Sequence, residues 1–215
     1  MYETMYEYLS ENFPKGNHYL VEVKEQDSLD AFFIEKMFNP SQEGRKHNLW
    51  GEFSRQIPCW GRCIGWVPNH FPLTFFSNTV GQEIANAIVS KQNKLIGKKK
   101  EIETARFLLE QIELHNLINR NPFFLSEGET KLTWFLCQWA KSPHYLAITY
   151  LPTSLSRQKI NLLLKFLLNS ARLSKLLNRK APTFIMGYTP DNTQWCKKLV
   201  LENGWKRISA FKLDS

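Results

Sequence analysis

The stretch Thr183-Phe-Ile-Met-Gly-Tyr-Thr-Pro-Asp-Asn192, followed by residues 193–203 and by Gly204-Trp-Lys-Arg-Ile-Ser-Ala-Phe-Lys-Leu213, decides how this 215-residue chain is read. Phe184, Ile185 and Met186 form an apolar strand run that ends at Gly187. Pro190-Asp191-Asn192 is turn chemistry that also caps a helix. Leu199 and Val200, with Trp195 and Cys196 one turn earlier, give that helix an apolar face. Asn203-Gly204 stops it, because glycine adopts the left-handed conformation at little steric cost. Ile208, Ala210 and Trp205 then alternate against Lys206, Arg207 and Ser209 as a closing strand. The order is strand, Asn-capped helix, glycine stop, strand.

Working outward, residues 144–151 (His-Tyr-Leu-Ala-Ile-Thr-Tyr-Leu) read as a core strand and residues 154–178 as the helix after it. From 144 to 213 the chain resembles the GNAT superfamily of acyl-CoA-dependent N-acyltransferases. The C-terminal half of that family ends in strand, Asn-led helix, Gly-aromatic and strand, and Asn192 and Gly204-Trp205 are the matching residues. The resemblance implies an α/β (α+β) fold with a mixed central sheet flanked by helices, splayed between the strands at 144–151 and 183–189 to admit pantetheine. It further implies acyl-CoA as cofactor, held by Thr149, Leu151, Arg157, Gln158, Lys159 and Asn192. An amine acceptor would attack the thioester while strand amides at 147–151 polarise its carbonyl. The chain departs from the family at two places. The glycine-containing turn that binds the pyrophosphate is replaced by Arg157-Gln158-Lys159-Ile160-Asn161-Leu162, and no glycine occurs from 129 to 186. The usual tyrosine acid is Val200, which leaves Tyr188, Cys196 and Ser156 as candidate catalytic groups. A scaffold that has lost acyl-CoA and serves as a protein-interaction module fits the same departures.

With 43% hydrophobic residues, a single domain over 1–215 with a sizeable core is expected. No apolar stretch approaches the roughly 20 residues of a membrane span. The first seven residues, Met-Tyr-Glu-Thr-Met-Tyr-Glu, lack the pattern of a signal peptide, so a cytoplasmic protein with reduced thiols is expected. Residues 151–215 hold 12 Lys/Arg against three Asp/Glu, whereas residues 1–150 hold 16 against 17. The net charge of +8 therefore belongs to the C-terminal third. Within it Lys165, Arg172, Lys175 and Arg179 fall on one helical face, either a solvated surface or a face for an anionic partner such as nucleic acid.

The N-terminal region reads as a helix at 1–13, a strand at 18–23 and a helix at 28–38. A strand follows at 62–67, then helices at 79–96 and 98–119. Ser126-Glu127-Gly128-Glu129 has the spacing of a capping box and opens a third helix that runs to Ala140. Together, residues 78–141 form a helical insertion. His47, Cys59, Cys63 and His70 could hold zinc, or the cysteines could pack as small hydrophobes. Trp50, Phe53, Trp60, Trp66, Phe71, Phe75 and Phe76 could stack on bases or fill the core. His18, His115 and His144 have no partner at motif spacing and read as structural. The leading expectation is acyl transfer to an amine on a macromolecule. A basic nucleic-acid-binding or modifying protein and a non-catalytic interaction module are the alternatives.

Overall fold

Among the described residues of a computed structural model of the chain, five strands, all parallel, make one sheet in the order β2-β3-β4-β1-β5. They are β1 (Tyr19–Glu22), β2 (Ile64–Val67), β3 (Tyr145–Ile148), β4 (Thr183–Tyr188) and β5 (Lys206–Ile208). The structure describes residues 9–23, 30–31, 63–68, 75–89, 98–149, 155–189, 199 and 203–208. Helices α1 (Val80–Val89), α2 (Lys98–Glu110) and α3 (Glu127–Ala140) lie between the neighbouring strands β2 and β3, and α4 (Arg157–Leu176) runs between β3 and β4.

Every residue of β3 and β4 is buried, as a parallel sheet covered on both faces requires. Alternate side chains enter two separate cores. Leu20, Val67, Leu146, Ile148, Phe184, Met186 and Tyr188 face the four helices. Tyr19, Val21, Ile64, Tyr145, Ala147 and Ile185 face Leu9 and Phe13 of the N-terminal segment, which is helical at 9–12. The helix layer is tied together by polar contacts as well as packing. Trp139 on α3 donates its indole N–H to Ser170 Oγ on α4 (2.9 Å), and its ring meets Phe166 edge-on at 5.1 Å. Trp134 donates to the carbonyl of Trp66 in β2 at 3.0 Å.

The capping box opens α3 as the sequence predicts, with Glu129 Oε2 accepting from the Ser126 amide at 2.8 Å and Ser126 Oγ accepting from the Glu129 amide. The helix expected at 98–119 ends earlier, at Glu110. Glu113 turns left-handed (φ 56°), the Leu114 amide bonds back to the Leu109 carbonyl, and a single 3-10 turn follows at His115–Leu117.

Two expectations about the sheet are corrected. Its described pairings are parallel, not mixed. Over the described residues the splay that would admit pantetheine is absent, because β3 and β4 are in continuous register from Tyr145↔Thr183 to Ile148↔Met186. An acyl chain cannot thread between the strands across these paired residues.

Candidate functional site

Ligands of open parallel α/β sheets bind outside the carboxyl ends of the strands. Here the strands end in Glu22-Val23, Val67-Pro68, Ile148-Thr149, Tyr188-Thr189 and Ile208. Glu22 lies opposite Tyr188 in register, and Arg207 lies opposite Leu20, two residues back and hence on the same face. Arg207 is long enough to reach the sheet end. Its Nη2 donates to Glu22 Oε2 at 2.6 Å, its Nε donates to the Tyr188 hydroxyl, and that hydroxyl donates to the same Glu22 oxygen at 2.9 Å. The guanidinium also stands over the Tyr188 ring, 5.5 Å from its centre.

The three groups fix one another's protonation. Hydrogen bonds from Arg207 and then Tyr188 hold the Glu22 carboxyl below its usual range. Burial, with the Glu22 hydrogen bond adding to it, pushes the Tyr188 phenol up to about 12. The Arg207 guanidinium is shifted upward by the hydrogen bond to Glu22. Carboxylate, phenol and guanidinium therefore keep one charge state across the physiological range. The cluster is a clamp on β1, β4 and β5 and is poorly suited to moving protons. As a candidate acid, Tyr188 has its proton committed to Glu22.

The other predicted site residues are dispersed. The buried Thr149 donates its hydroxyl to the Val67 carbonyl at 3.2 Å. Ser156 caps α4, accepting from the Lys159 amide at 3.3 Å, while Arg157 and Gln158 are exposed in the first turn. Leu151, Asn192 and Cys196 lie outside the described residues, as do His47, Cys59 and His70. Cys63 is half-buried and packs against the second core, as does Trp66. Phe75 is buried against Trp134, whereas Phe76 is 87% exposed. Of the predicted cationic face, Lys165, Arg172 and Lys175 are exposed on α4, but Arg179 leaves it. The Asn178 amide bonds to the Lys175 carbonyl and the Arg179 amide to the Ser174 carbonyl, with Asn178 left-handed (φ 52°). That Schellman turn ends the helix and redirects Arg179 inward. There it donates to the carbonyl of Ala140 and, at 3.2 Å, to that of Ile88.

His18, which the sequence reads as structural, packs between two aromatic rings. Its ring packs 5.1 Å from Phe184 and 5.0 Å from Trp205, and its Nδ1 accepts the Phe184 amide at 3.2 Å. Burial lowers its pKa. Sequence spacing could not reveal the clamp, since Glu22 and Arg207 are 185 residues apart.

Phosphate recognition by such a sheet relies on glycine in the turn between a strand and the next helix, where backbone N–H groups approach the anion closely. The glycines of this chain are at 16, 44, 51, 61, 65, 81, 97, 128, 187 and 204. None falls between β1 and the helical residues at 30–31, between β2 and α1 from 68 to 79, between β3 and α4, or from 188 to 203 after β4. These connections do not fit a nucleoside triphosphate. Among the described residues no group of three His, Cys, Asp or Glu side chains could hold a metal ion, and no helix is long and apolar enough to cross a membrane.

No family model matches the chain. It is similar to a putative ABC transporter ATP-binding protein of Pyrococcus horikoshii, 29% identical over 111 residues, which are 52% of this chain and 42% of that protein. A second such protein, from Pyrococcus furiosus, is 28% identical over 102 residues, 47% of this chain and 38% of that protein. The chain thus spans about two fifths of the length of these relatives. Among solved structures it is similar to cbiO1 of Clostridium perfringens, part of the ABC transporter complex cbiONQ, with a TM-score of 0.53, 21% identity, and coverage of 81% and 68% of the two chains. It is likewise similar to a dimeric ATP-binding cassette in a post-hydrolysis state bound to ADP and Pi, with a TM-score of 0.53, 16% identity, and coverage of 82% and 76%. These likenesses overturn the N-acyltransferase resemblance. With it go acyl-CoA, the amine acceptor, the nucleic-acid partner and the interaction module on a GNAT scaffold. What this chain shares with the solved structures is the fold of an ATP-binding cassette.

Proposed function

We propose that the chain is a cassette-type subunit of a membrane transport assembly, held at the cytoplasmic side of the membrane by a partner that spans it. The observation that carries this reading is the similarity over 111 residues to a protein described as an ABC transporter ATP-binding protein. The likeness of the parallel sheet and its helices to cassette structures supports the same reading.

The surface is compatible with a docked subunit. Phe76 (87% exposed), Phe123 (69%) and Phe124 (72%) hold large apolar rings in solvent. The first turn of α1 bonds to the carbonyls of Ile118 and Arg120, which ties the segment after Phe76 to the one before Phe123. Exposed rings of this size are what a partner surface can cover.

The test is membrane fractionation of cells expressing the tagged chain, followed by crosslinking and mass spectrometry. The expected result is a chain that sediments with membranes, is released by alkaline wash, and is crosslinked to a protein with several membrane-spanning helices. A chain found wholly in the soluble fraction and lacking any such crosslink would overturn the reading.

A further inference from the structure

The residues at the sheet end disagree with the ligand that the relatives' names carry. We infer that this chain keeps the cassette fold without using nucleotide: it binds neither ATP nor ADP, with or without magnesium, at the carboxyl ends of its strands. The inference rests on the cassette reading for its choice of ligand, but not on the docking partner.

The first argument concerns the strand-to-helix turn. A P-loop places Gly-x-x-x-x-Gly-Lys-Ser/Thr between a strand and a helix, so that amides cradle the phosphates and the lysine reaches them. After β1, the eight residues 23–30 read Val-Lys-Glu-Gln-Asp-Ser-Leu-Asp, and the chain is helical at Asp30–Ala31. The chemistry of this stretch opposes a P-loop. There is no glycine, and one lysine stands against three carboxylates, Glu25, Asp27 and Asp30. Asp30 is buried, only 6% exposed. A polyphosphate would meet negative charge where it needs amides and a cation.

The second argument concerns the metal. P-loop enzymes hold magnesium through the Ser or Thr of the loop and an Asp in the Walker B segment. Among the described strand ends there is no aspartate, and the one carboxylate, Glu22, is already occupied by Arg207 at 2.6 Å and Tyr188 at 2.9 Å. A magnesium ion would have to displace a guanidinium that is itself fixed by Tyr188. The end of β3 carries Thr149, whose hydroxyl is spent on the Val67 carbonyl.

The third argument is that the other connections offer no substitute. None of them carries the glycine that lets a phosphate approach the backbone closely.

The experiment uses the full chain, shown to be folded by a cooperative thermal transition. ATP or ADP is titrated with and without magnesium by calorimetry, and the transition is repeated at about 5 mM nucleotide. The expected result is no saturable heat and a midpoint shift below about 1 °C, as for a ligand whose Kd lies above that concentration. A Kd in the micromolar range, a shift of several degrees, or magnesium-dependent phosphate release that stays with the chain through purification would overturn the inference. The variant Asp27→Gly, Leu29→Gly, Asp30→Lys adds a second reading. Nucleotide-dependent stabilisation gained by the variant alone would confirm that these positions are what exclude the phosphates. The outcomes separate from the docking reading: a chain that binds ATP and is still crosslinked to a membrane protein refutes only this inference. A chain that binds no ATP and makes no such crosslink refutes only the docking.

Discussion

Replacing Arg179 with Met should destabilise the chain far more than replacing Lys175, although helical spacing puts both on one cationic face. Arg179 is half-buried and supplies the carbonyls of Ala140 and Ile88 with charged donors, while its second contact from Nη1 reaches Ser142 Oγ at 3.4 Å. Those carbonyls belong to the last turns of α3 and α1, where helices leave acceptors without an internal partner and favour a cation. Burial lowers the pKa of Arg179 yet leaves it ionised, as an arginine remains at any ordinary pH. Each charge-assisted hydrogen bond contributes about 1.5–3 kcal/mol. Water can reach part of a half-buried site and replace some of that. Arg179→Met, which keeps the aliphatic volume, should therefore cost about 2–4 kcal/mol.

Urea unfolding measures the effect directly, as a fall in midpoint with an unchanged slope. For a chain of this size the thermal midpoint should fall by roughly 5–15 °C, at about 2–4 °C per kcal/mol. Arg179→Lys should recover only part of the loss, because one ammonium cannot fork between carbonyls on two helices. Lys175→Met, at an exposed position of α4, should stay within about 0.5 kcal/mol of the parent. Equal effects at 175 and 179 would refute the argument that the Schellman turn removes Arg179 from the face and makes it a joint between helices.

Three further outcomes are expected. Gly81→Ala should destabilise by about 1–2 kcal/mol, read from the urea midpoint, since overpacking outweighs the roughly 1 kcal/mol of helix propensity that alanine offers. The added Cβ would lie 2.7 Å from Ile118 Cδ1 and 2.9 Å from the Ile118 carbonyl oxygen, and a neutral result would mean that α1 shifts freely off that turn. His18 has a depressed folded pKa, so the unfolded state takes up its proton first. Its stabilising effect should be complete above about pH 6.5 and decline as pH falls through that value, and an identical decline in His18→Gln would exclude His18 as the cause. Glu22 has a depressed pKa of the acidic kind, so its contribution is present above its unfolded value and lost as pH drops through the folded one. Glu22→Gln should flatten the acid limb of the stability profile, and an unchanged limb would count against the clamp.

Element identity was legible where local chemistry decides it. Residues 145–148 and 183–188 are apolar runs because both faces of a parallel strand are covered, and the Ser126–Glu129 box announces α3 without help from the rest of the fold. Gly204, left-handed at φ 65°, stops its helix as read. What periodicity cannot supply is neighbourhood. Strand, helix, glycine and strand occur in both a mixed and a parallel sheet, and whether β3 and β4 splay or pair depends on contacts between distant segments. The clamp has the same origin, since Glu22 and Arg207 come from opposite ends of the sequence and meet only because β5 pairs with β1. The misplaced Arg179 is a different case. The period of 3.6 residues holds only to the end of the helix, and the left-handed Asn178 turns the chain just before Arg179.

On the inference that the chain uses no nucleotide, its strand-to-helix connections have no need of glycine. Glycine at a strand-to-helix turn admits a phosphate to the backbone, but it enlarges the conformational freedom lost on folding. A side chain compatible with the local backbone reduces that loss by about 0.4–1 kcal/mol per position. The described sheet already has a separate apolar core on each face. At its carboxyl end, Glu22, Tyr188 and Arg207 join three adjacent strands through side chains of the chain itself. A ligand seeking Glu22 or Arg207 would therefore have to compete with contacts the chain already makes there.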